Sequence, residues 1–220
     1  MFINIHTHHP PQKNECTIQN LYKNFEQVDV LGKYSIGLHP WYINQENVAE
    51  QLQQLASYST NKNVLAIGEC GLDKVCQTNW DLQLQTFTAQ VQLANEINKP
   101  LIIHCVRAYT EVLNILQQQH NKVPVIFHGF NKNQQLAKQI TDKDYYLSFG
   151  KDLQQQRVQQ VFATVPLKHI LLETDDTTIS IETIYQFAAT ALQIDTVKLS
   201  SQIQQNAVAI FGTDFTNYDK

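Results

Sequence analysis

Phe2-Ile3-Asn4-Ile5-His6-Thr7-His8 opens the chain, and its reading decides the fold. Residues two apart on a strand share a face. A short apolar run of this kind brings two imidazoles side by side, the minimum of a metal site. The same form returns further on, an apolar run that closes on a histidine or a carboxylate. Glu69 follows Val64-Leu65-Ala66-Ile67-Gly68, and His104 closes Pro100-Leu101-Ile102-Ile103. His128 closes Val125-Ile126-Phe127, and Asp175 follows Ile170-Leu171-Leu172-Glu173-Thr174.

Around these runs, short β-type segments alternate with longer helical ones. Strands are expected over residues 2–8, 16–21, 34–38, 64–68, 101–105, 125–128, 145–149 and 170–173. Most are continuously apolar, as parallel strands buried on both faces are. Helices are expected over 46–57, 82–98, 109–119, 132–141, 153–163, 181–192 and 197–211. Several carry a 3.6-residue stripe, such as Phe87, Val91, Ala94 and Ile97. Eight strands with mostly helical connections predict an α/β chain folded as a (β/α)8 TIM-like barrel. The start departs from that pattern. Residues 9–15 are too few for a crossover helix, since parallel connections need about a dozen residues. His9-Pro10-Pro11 reads as an extended turn, and residues 20–33 are also thin. The barrel is therefore expected with an abbreviated first βα unit.

Length and composition bound the rest. The 220 residues, 43% of them hydrophobic, predict a single domain over residues 1–220, and no linker or repeat interrupts it. No run of ~20 apolar residues spans a bilayer and no basic-then-apolar leader precedes the first strand, so a cytoplasmic protein without a membrane partner is expected. Cys16, Cys70, Cys76 and Cys105 show no C-x-x-C spacing, which predicts reduced, mostly buried thiols. The net charge is −4, and Arg107 and Arg157 are the only arginines. Proteins that grip nucleic acid over a long footprint carry a basic stripe. Contact with nucleic acid is thus expected to be short, such as a chain end held by bound metal ions. No obligate protein partner is evident.

The C-terminal ends of barrel strands converge where active sites are built. His6, His8, Glu69, His104, His128 and Asp175 all fall at such ends, enough for two divalent ions about 3.5–4 Å apart. Each has a plainer reading when taken singly. A strand-end histidine serves structure or surface, Glu69 caps or lines a loop, and Asp175 caps the helix near Ile181 or makes a turn with Asp176 and Thr177. Their recurrence at one end of successive strands favours a common site. His39, in Ser35-Ile36-Gly37-Leu38-His39-Pro40-Trp41, ends the third strand at the same end and is a candidate substrate contact or a structural group. His9, His120 and His169 read as surface or supporting groups, and Cys70 and Cys105 as core. No Ser-His-Asp or Cys-His nucleophile, P-loop or dinucleotide fingerprint occurs.

Jointly these stretches resemble the TatD family of metal-dependent hydrolases, the deoxyribonuclease-like branch of the amidohydrolase superfamily. The matching segments are Ile5-His6-Thr7-His8, Ile36-Gly37-Leu38-His39-Pro40, Ile67-Gly68-Glu69-Cys70-Gly71-Leu72-Asp73 and Pro100-Leu101-Ile102-Ile103-His104-Cys105-Val106-Arg107. Phe127-His128-Gly129-Phe130, Leu171-Leu172-Glu173-Thr174-Asp175 and the final Asn206-Ala207-Val208-Ala209-Ile210-Phe211 complete the set. The resemblance implies that His6, His8, Glu69 and Asp175 hold one metal and Glu69, His104 and His128 a second, with Glu69 bridging. The superfamily often bridges its metals with a carboxylated lysine; Glu69 on strand 4 favours the TatD branch.

That resemblance implies hydrolysis of DNA from a 3′ end, or of a small phosphodiester, with two Mg²⁺, Mn²⁺ or Zn²⁺ ions. Water held by such ions has a lowered pKa. Asp175 would orient that water and take its proton. Arg107, just beyond His104, is a candidate phosphate contact or a surface or helix-start ion pair, and Lys74 is a candidate further phosphate contact. Three departures from the family bear on substrate. Asn4 stands where many relatives carry Asp, Lys74 where an aromatic is common, and Asp176-Thr177-Thr178 lacks the usual proline. Three other readings compete. One is a metal-dependent hydrolase of an ester, amide or aminoacyl-tRNA bond. Another is a binding protein that keeps the barrel as scaffold. The third is a polymerase-and-histidinol-phosphatase barrel, which the Glu-Thr-Asp ending at strand 8 disfavours.

Overall fold

The structure, a computed structural model, describes residues 1–216. Eight strands form one sheet in chain order: β1 (Phe2–Thr7), β2 (Glu15–Leu21), β3 (Tyr34–Ile36), β4 (Val64–Asp73), β5 (Leu101–Val106), β6 (Val125–Phe127), β7 (Tyr146–Phe149) and β8 (Ile170–Leu172). Every ladder described is parallel. The helices are α1 (Val48–Ser59), α2 (Trp80–Ile97), α3 (Tyr109–Gln118), α4 (Gln134–Thr141), α5 (Gln156–Phe162), α6 (Ile181–Leu192) and α7 (Thr196–Phe211). This is the expected (β/α)8 class. Its start is abbreviated as the spacing requires: only turns join β1 to β2, and one 3-10 turn, Phe25–Gln27, lies between β2 and β3.

Helix starts follow local chemistry. Asn79, Asn133, Ser180 and Asp195 each accept a hydrogen bond from the backbone N–H three residues on, satisfying a donor that the first turn leaves open. Ser180, not Asp175, therefore caps α6. The helix expected over 153–163 is two pieces, a 3-10 turn Lys151–Gln154 and α5, because Gln155 between them is extended (φ −88°, ψ 125°).

The chain divides into two compact units. The first comprises Met1–Gln19 and the chain from Ile126 onward. Here β1 pairs with β2, and an isolated parallel bridge joins Thr7 of β1 to Asp175, three residues beyond β8. Phe127, Phe130, Phe149, Phe162 and Tyr185 are fully buried. Tyr185 Oη accepts from Ile3 N and donates to Ile3 O, both at 3.1 Å, so α6 straps β1.

The second unit is Asn20–Val125, with β3, β4 and β5 and helices α1 to α3. Phe87, Val91 and Ala94 on α2 are fully buried, as their spacing predicts. Gln90 takes the place of a strand neighbour for Leu38: its Oε1 accepts from Leu38 N (2.7 Å) and its Nε2 donates to Leu38 O (3.1 Å). That fixes the backbone from which His39 emerges. β4 corrects the expectation of a strand ending at Gly68, since it continues through Asp73. Gly71 (φ 146°) permits this, because a Cβ there would stand 1.9 Å from the His104 carbonyl oxygen.

Candidate functional site

The first unit assembles one group of ligand-type side chains. β1 delivers His6, fully buried, and His8 just beyond its end. Their Nε2 atoms lie 3.6 Å and 3.4 Å from Asp175 Oδ1. Three bonds hold the Asp175 backbone. Its N–H donates to His6 O (3.0 Å), and its carbonyl accepts from His8 N (3.0 Å) and Thr7 Oγ1 (3.2 Å). Asp175 sits at φ 53°, a left-handed conformation that aspartate and asparagine tolerate better than most residues. Burial opposes ionisation of its carboxyl. The facing imidazoles of His6 and His8, with the charges of His6 and His128, outweigh that and hold it well below the usual carboxylate range.

His128, directly after β6, packs its ring 4.5 Å from that of His6. Its Nδ1 lies 3.3 Å from Glu173 Oε1, which also accepts from Gly129 N at 2.8 Å. Glu173 is 1% exposed, and its Oε2 has no hydrogen-bond partner among the described residues. A buried carboxylate oxygen in that state costs free energy unless a cation or donor meets it.

The second unit holds another group. Glu69 lies within β4, at an irregularity in the β4–β5 register where the step from Ile67 to Cys70 faces that from Leu101 to Ile103. Such a bulge re-aims a side chain. Glu69 Oε1 is 2.8 Å from His104 Nδ1 and 3.2 Å from His39 Nε2, while its N–H donates to Asn20 Oδ1 at 2.7 Å. His104 Nε2 lies 3.2 Å from Asp73 Oδ2, which accepts from Trp41 Nε1 at 2.7 Å. Burial works to raise the Asp73 pKa, but the Trp41 indole, the Val75 N–H and His104 together bring it below the ordinary value.

Nitrogen and oxygen donors of these types, in groups of three or more, suit a divalent cation. The ligand atoms of His6, His8 and Asp175 lie within 4.8 Å of one another, as do those of His128, Glu173 and Asp175, and those of His39, Glu69 and His104. The donor chemistry and the unpartnered Glu173 Oε2 both fit a metal.

All six expected ligands thus lie in such groups, and His39 joins Glu69 and His104. The other expected contacts stand apart. Lys74 forms an ion pair with Glu111 and lies 5.4 Å over the Trp80 ring. Arg107 is exposed at φ 54° just past β5. Cys70 is fully buried, with its thiol pKa raised by desolvation and then by the Glu69 charge, in line with a core role. Glu173, Asp73 and Trp41 are the residues that sequence reasoning did not single out. Glu173 had a signal: a carboxylate between Ile170-Leu171-Leu172 and Thr174 is buried and needs a partner.

Known proteins similar to this chain include metal-dependent hydrolases. A family model described as TatD related DNase matches residues 11–212. An uncharacterized metal-dependent hydrolase of Buchnera aphidicola is 32% identical over 146 residues, covering 64% of this chain and 54% of the relative. A 3′-5′ ssDNA/RNA exonuclease TatD of Cronobacter sakazakii is 30% identical over 147 residues, 63% of this chain and 55% of the relative. The chain thus spans little more than half the length of these two curated relatives. The crystal structure of YJJV, a TatD homolog from Escherichia coli, superposes with a TM-score of 0.81 at 20% identity, covering 96% of this chain and 98% of that one.

Proposed function

The chain belongs to the TatD-related DNase family, and on that premise we propose that it is a divalent-metal-dependent hydrolase that cleaves phosphodiester bonds at the 3′ end of DNA. The observation that carries this reading is the group of His6, His8 and Asp175, two imidazoles directed at one carboxylate whose backbone is locked by three hydrogen bonds. The proposed ligands are His6, His8, Glu69, His104, His128 and Asp175, serving two ions of Mg²⁺, Mn²⁺ or Zn²⁺. The bridging role of Glu69 rests on the family resemblance. Among the described residues no disulfide joins Cys16, Cys70, Cys76 or Cys105, and a reducing, cytoplasmic setting is proposed with this reading.

Divalent ions supply Lewis acidity towards a phosphoryl oxygen and lower the pKa of coordinated water. The residues do the rest. Asp175 stays anionic and is held still, so its carboxylate can take the proton of the attacking water and return one to the leaving oxygen. Glu173 Oε1 fixes the ring of His128, the usual carboxylate–imidazole arrangement behind a metal ligand. Asp73 does the same for His104.

The test is release of nucleotides from a 3′-labelled single-stranded DNA with each of the three ions, wild type beside Asp175→Asn. Asparagine fits the positive φ of this position, so the variant should fold. It should lose activity by about 10²–10⁴-fold, the span of a general acid–base contribution. Failure of wild type to release nucleotides with any of the ions, together with turnover of ester or amide substrates, would move the reaction to the competing bond class.

A further inference from the structure

Beside Glu69 and His104, the second unit displays large aromatic side chains to solvent. Trp41 is 53% exposed and Tyr42 51% exposed, although both rings are fixed. The Trp41 indole is tied to Asp73, its backbone N–H donates to His39 Nδ1 (3.1 Å), and its ring meets those of His39 and His104 edge-on at 5.1 Å and 5.9 Å. Tyr42 stacks on Tyr22 with centroids 4.5 Å apart and 26° between planes, and Lys23 Nζ lies 5.3 Å over the Tyr22 ring. Half-exposed aromatics forgo part of the hydrophobic stabilisation that full burial gives. Rings that are immobilised yet uncovered meet a planar ligand without further ordering cost.

Resting on the phosphodiesterase reading above, we propose that Trp41 and Tyr42, with Tyr22 packed behind Tyr42, form a stacking platform for the unpaired bases at the end of a single-stranded nucleic acid. The charge balance favours this occupant over a duplex. A chain of net charge −4 with two arginines cannot hold a polyanion by phosphate contacts along its length. Every base offers a π-face, and stacking on an aromatic side chain is sequence-tolerant and independent of net charge. Duplex bases are already stacked on one another and closed to such a platform. Trp41 also links platform to site, since the Asp73 oxygen that receives its N–H is the one beside His104. A base seated on this ring therefore lies next to a proposed metal ligand.

The test compares a single-stranded oligodeoxynucleotide with an abasic strand of equal length, which keeps the phosphates and removes the bases. Binding is measured by fluorescence anisotropy in the Asp175→Asn background, where turnover is blocked. Quenching is followed in Trp80→Phe, which leaves Trp41 as the one tryptophan. The base-bearing strand should bind at least 10-fold more tightly, quench Trp41 fluorescence, and show a shallow salt dependence. Tyr42→Ala and Trp41→Ala should each weaken it by about 5- to 150-fold and leave abasic binding unchanged. Trp41→Phe keeps a face but loses the bond to Asp73, and should retain most of the discrimination. Equal binding of the two strands, or variants that lower both alike, overturns the platform. Quenching by a neutral oligosaccharide and not by the oligonucleotide also overturns it, in favour of a carbohydrate surface. The two readings fail separately. Nucleotide release without discrimination removes the platform alone, and base-dependent quenching without release removes the phosphodiesterase alone.

Discussion

Asn4→Asp, a change towards the residue common in the family, should damage this chain. Asn4 Nδ2 donates to Thr174 Oγ1 (2.9 Å) and to Glu15 Oε2 (3.4 Å), while its Oδ1 accepts from Thr174 N (3.1 Å). Because the amide donates, the Thr174 hydroxyl is free to donate to Thr7 Oγ1 (2.9 Å), and Thr7 in turn to the Asp175 carbonyl (3.2 Å). The hydrogens run in one direction from Asn4 to the backbone of Asp175. Aspartate at this position puts an acceptor where the donor stood, so Thr174 must turn back and the run is broken. It also sets a carboxylate 3.4 Å from that of Glu15, a repulsion of about 5 kcal/mol at an effective dielectric of 20. Glu15 is half-buried and can turn outward or take up a proton, which removes roughly half of that. Net destabilisation of about 2–4 kcal/mol follows once the broken hydrogen bonds are included, or about 5–15 °C in Tm for a chain of this size. The assay is thermal and urea unfolding of Asn4→Asp, Glu15→Gln and the double variant. In the double variant a glutamine amide replaces the Glu15 carboxylate and can donate to the introduced aspartate, so at least half of the loss should be recovered. Paired carboxylates have a raised pKa in the folded state. Their penalty is therefore small below the ordinary carboxylate range and grows as pH rises, larger at pH 7.5 than at pH 4.5. A cost under about 0.5 kcal/mol, or the same cost with Glu15→Gln present, would refute the reasoning.

Glu173→Gln should reduce metal affinity by about 10- to 100-fold, read by chelator competition, because the carboxylate orients His128; unchanged affinity would remove Glu173 from that role. The metal-free protein should lose stability on acidification partly through Asp175. Its folded pKa is depressed, so its contribution is fully present above the ordinary value of about 3.8 and is lost as pH falls through the lower folded value. Asp175→Asn should flatten that acid limb while leaving stability near pH 7 lower than wild type, and an acid limb of unchanged steepness would contradict the assignment.

Most of the strands were legible because buried parallel strands are continuous apolar runs, and these end where polarity returns. The run at Leu101 closes at Val106, one residue beyond expectation. β4 misled because Glu69-Cys70-Gly71-Leu72-Asp73 has the look of a strand end, with a carboxylate and a glycine in the middle. What sustains it is non-local. Gly71 makes room for the β5 carbonyl beside it, and the Glu69 N–H is met by Asn20, 49 residues earlier. The same limit hid the pairings of Asp73 and Glu173. Their partners His104 and His128 stand 31 and 45 residues away, and no local pattern records such a pairing.

Alternation along β1 shows how a sound rule can mislead about one residue. Counting by twos places Asn4 on the face of His6 and His8, where its missing charge would be felt directly by an ion. The register between β1 and β2 shifts between Asn4 and Thr7, with one more residue on β1 than on β2. A bulge of this kind resets the alternation. Asn4 and Thr7, three apart, consequently meet at the same Thr174 hydroxyl, while the imidazoles of His6 and His8 go to the Asp175 carboxylate. Asn4 therefore reaches the proposed metal site through the backbone of Asp175 and not through its own charge. That is why its neutral amide, matched to Glu15, suits this chain as aspartate would not.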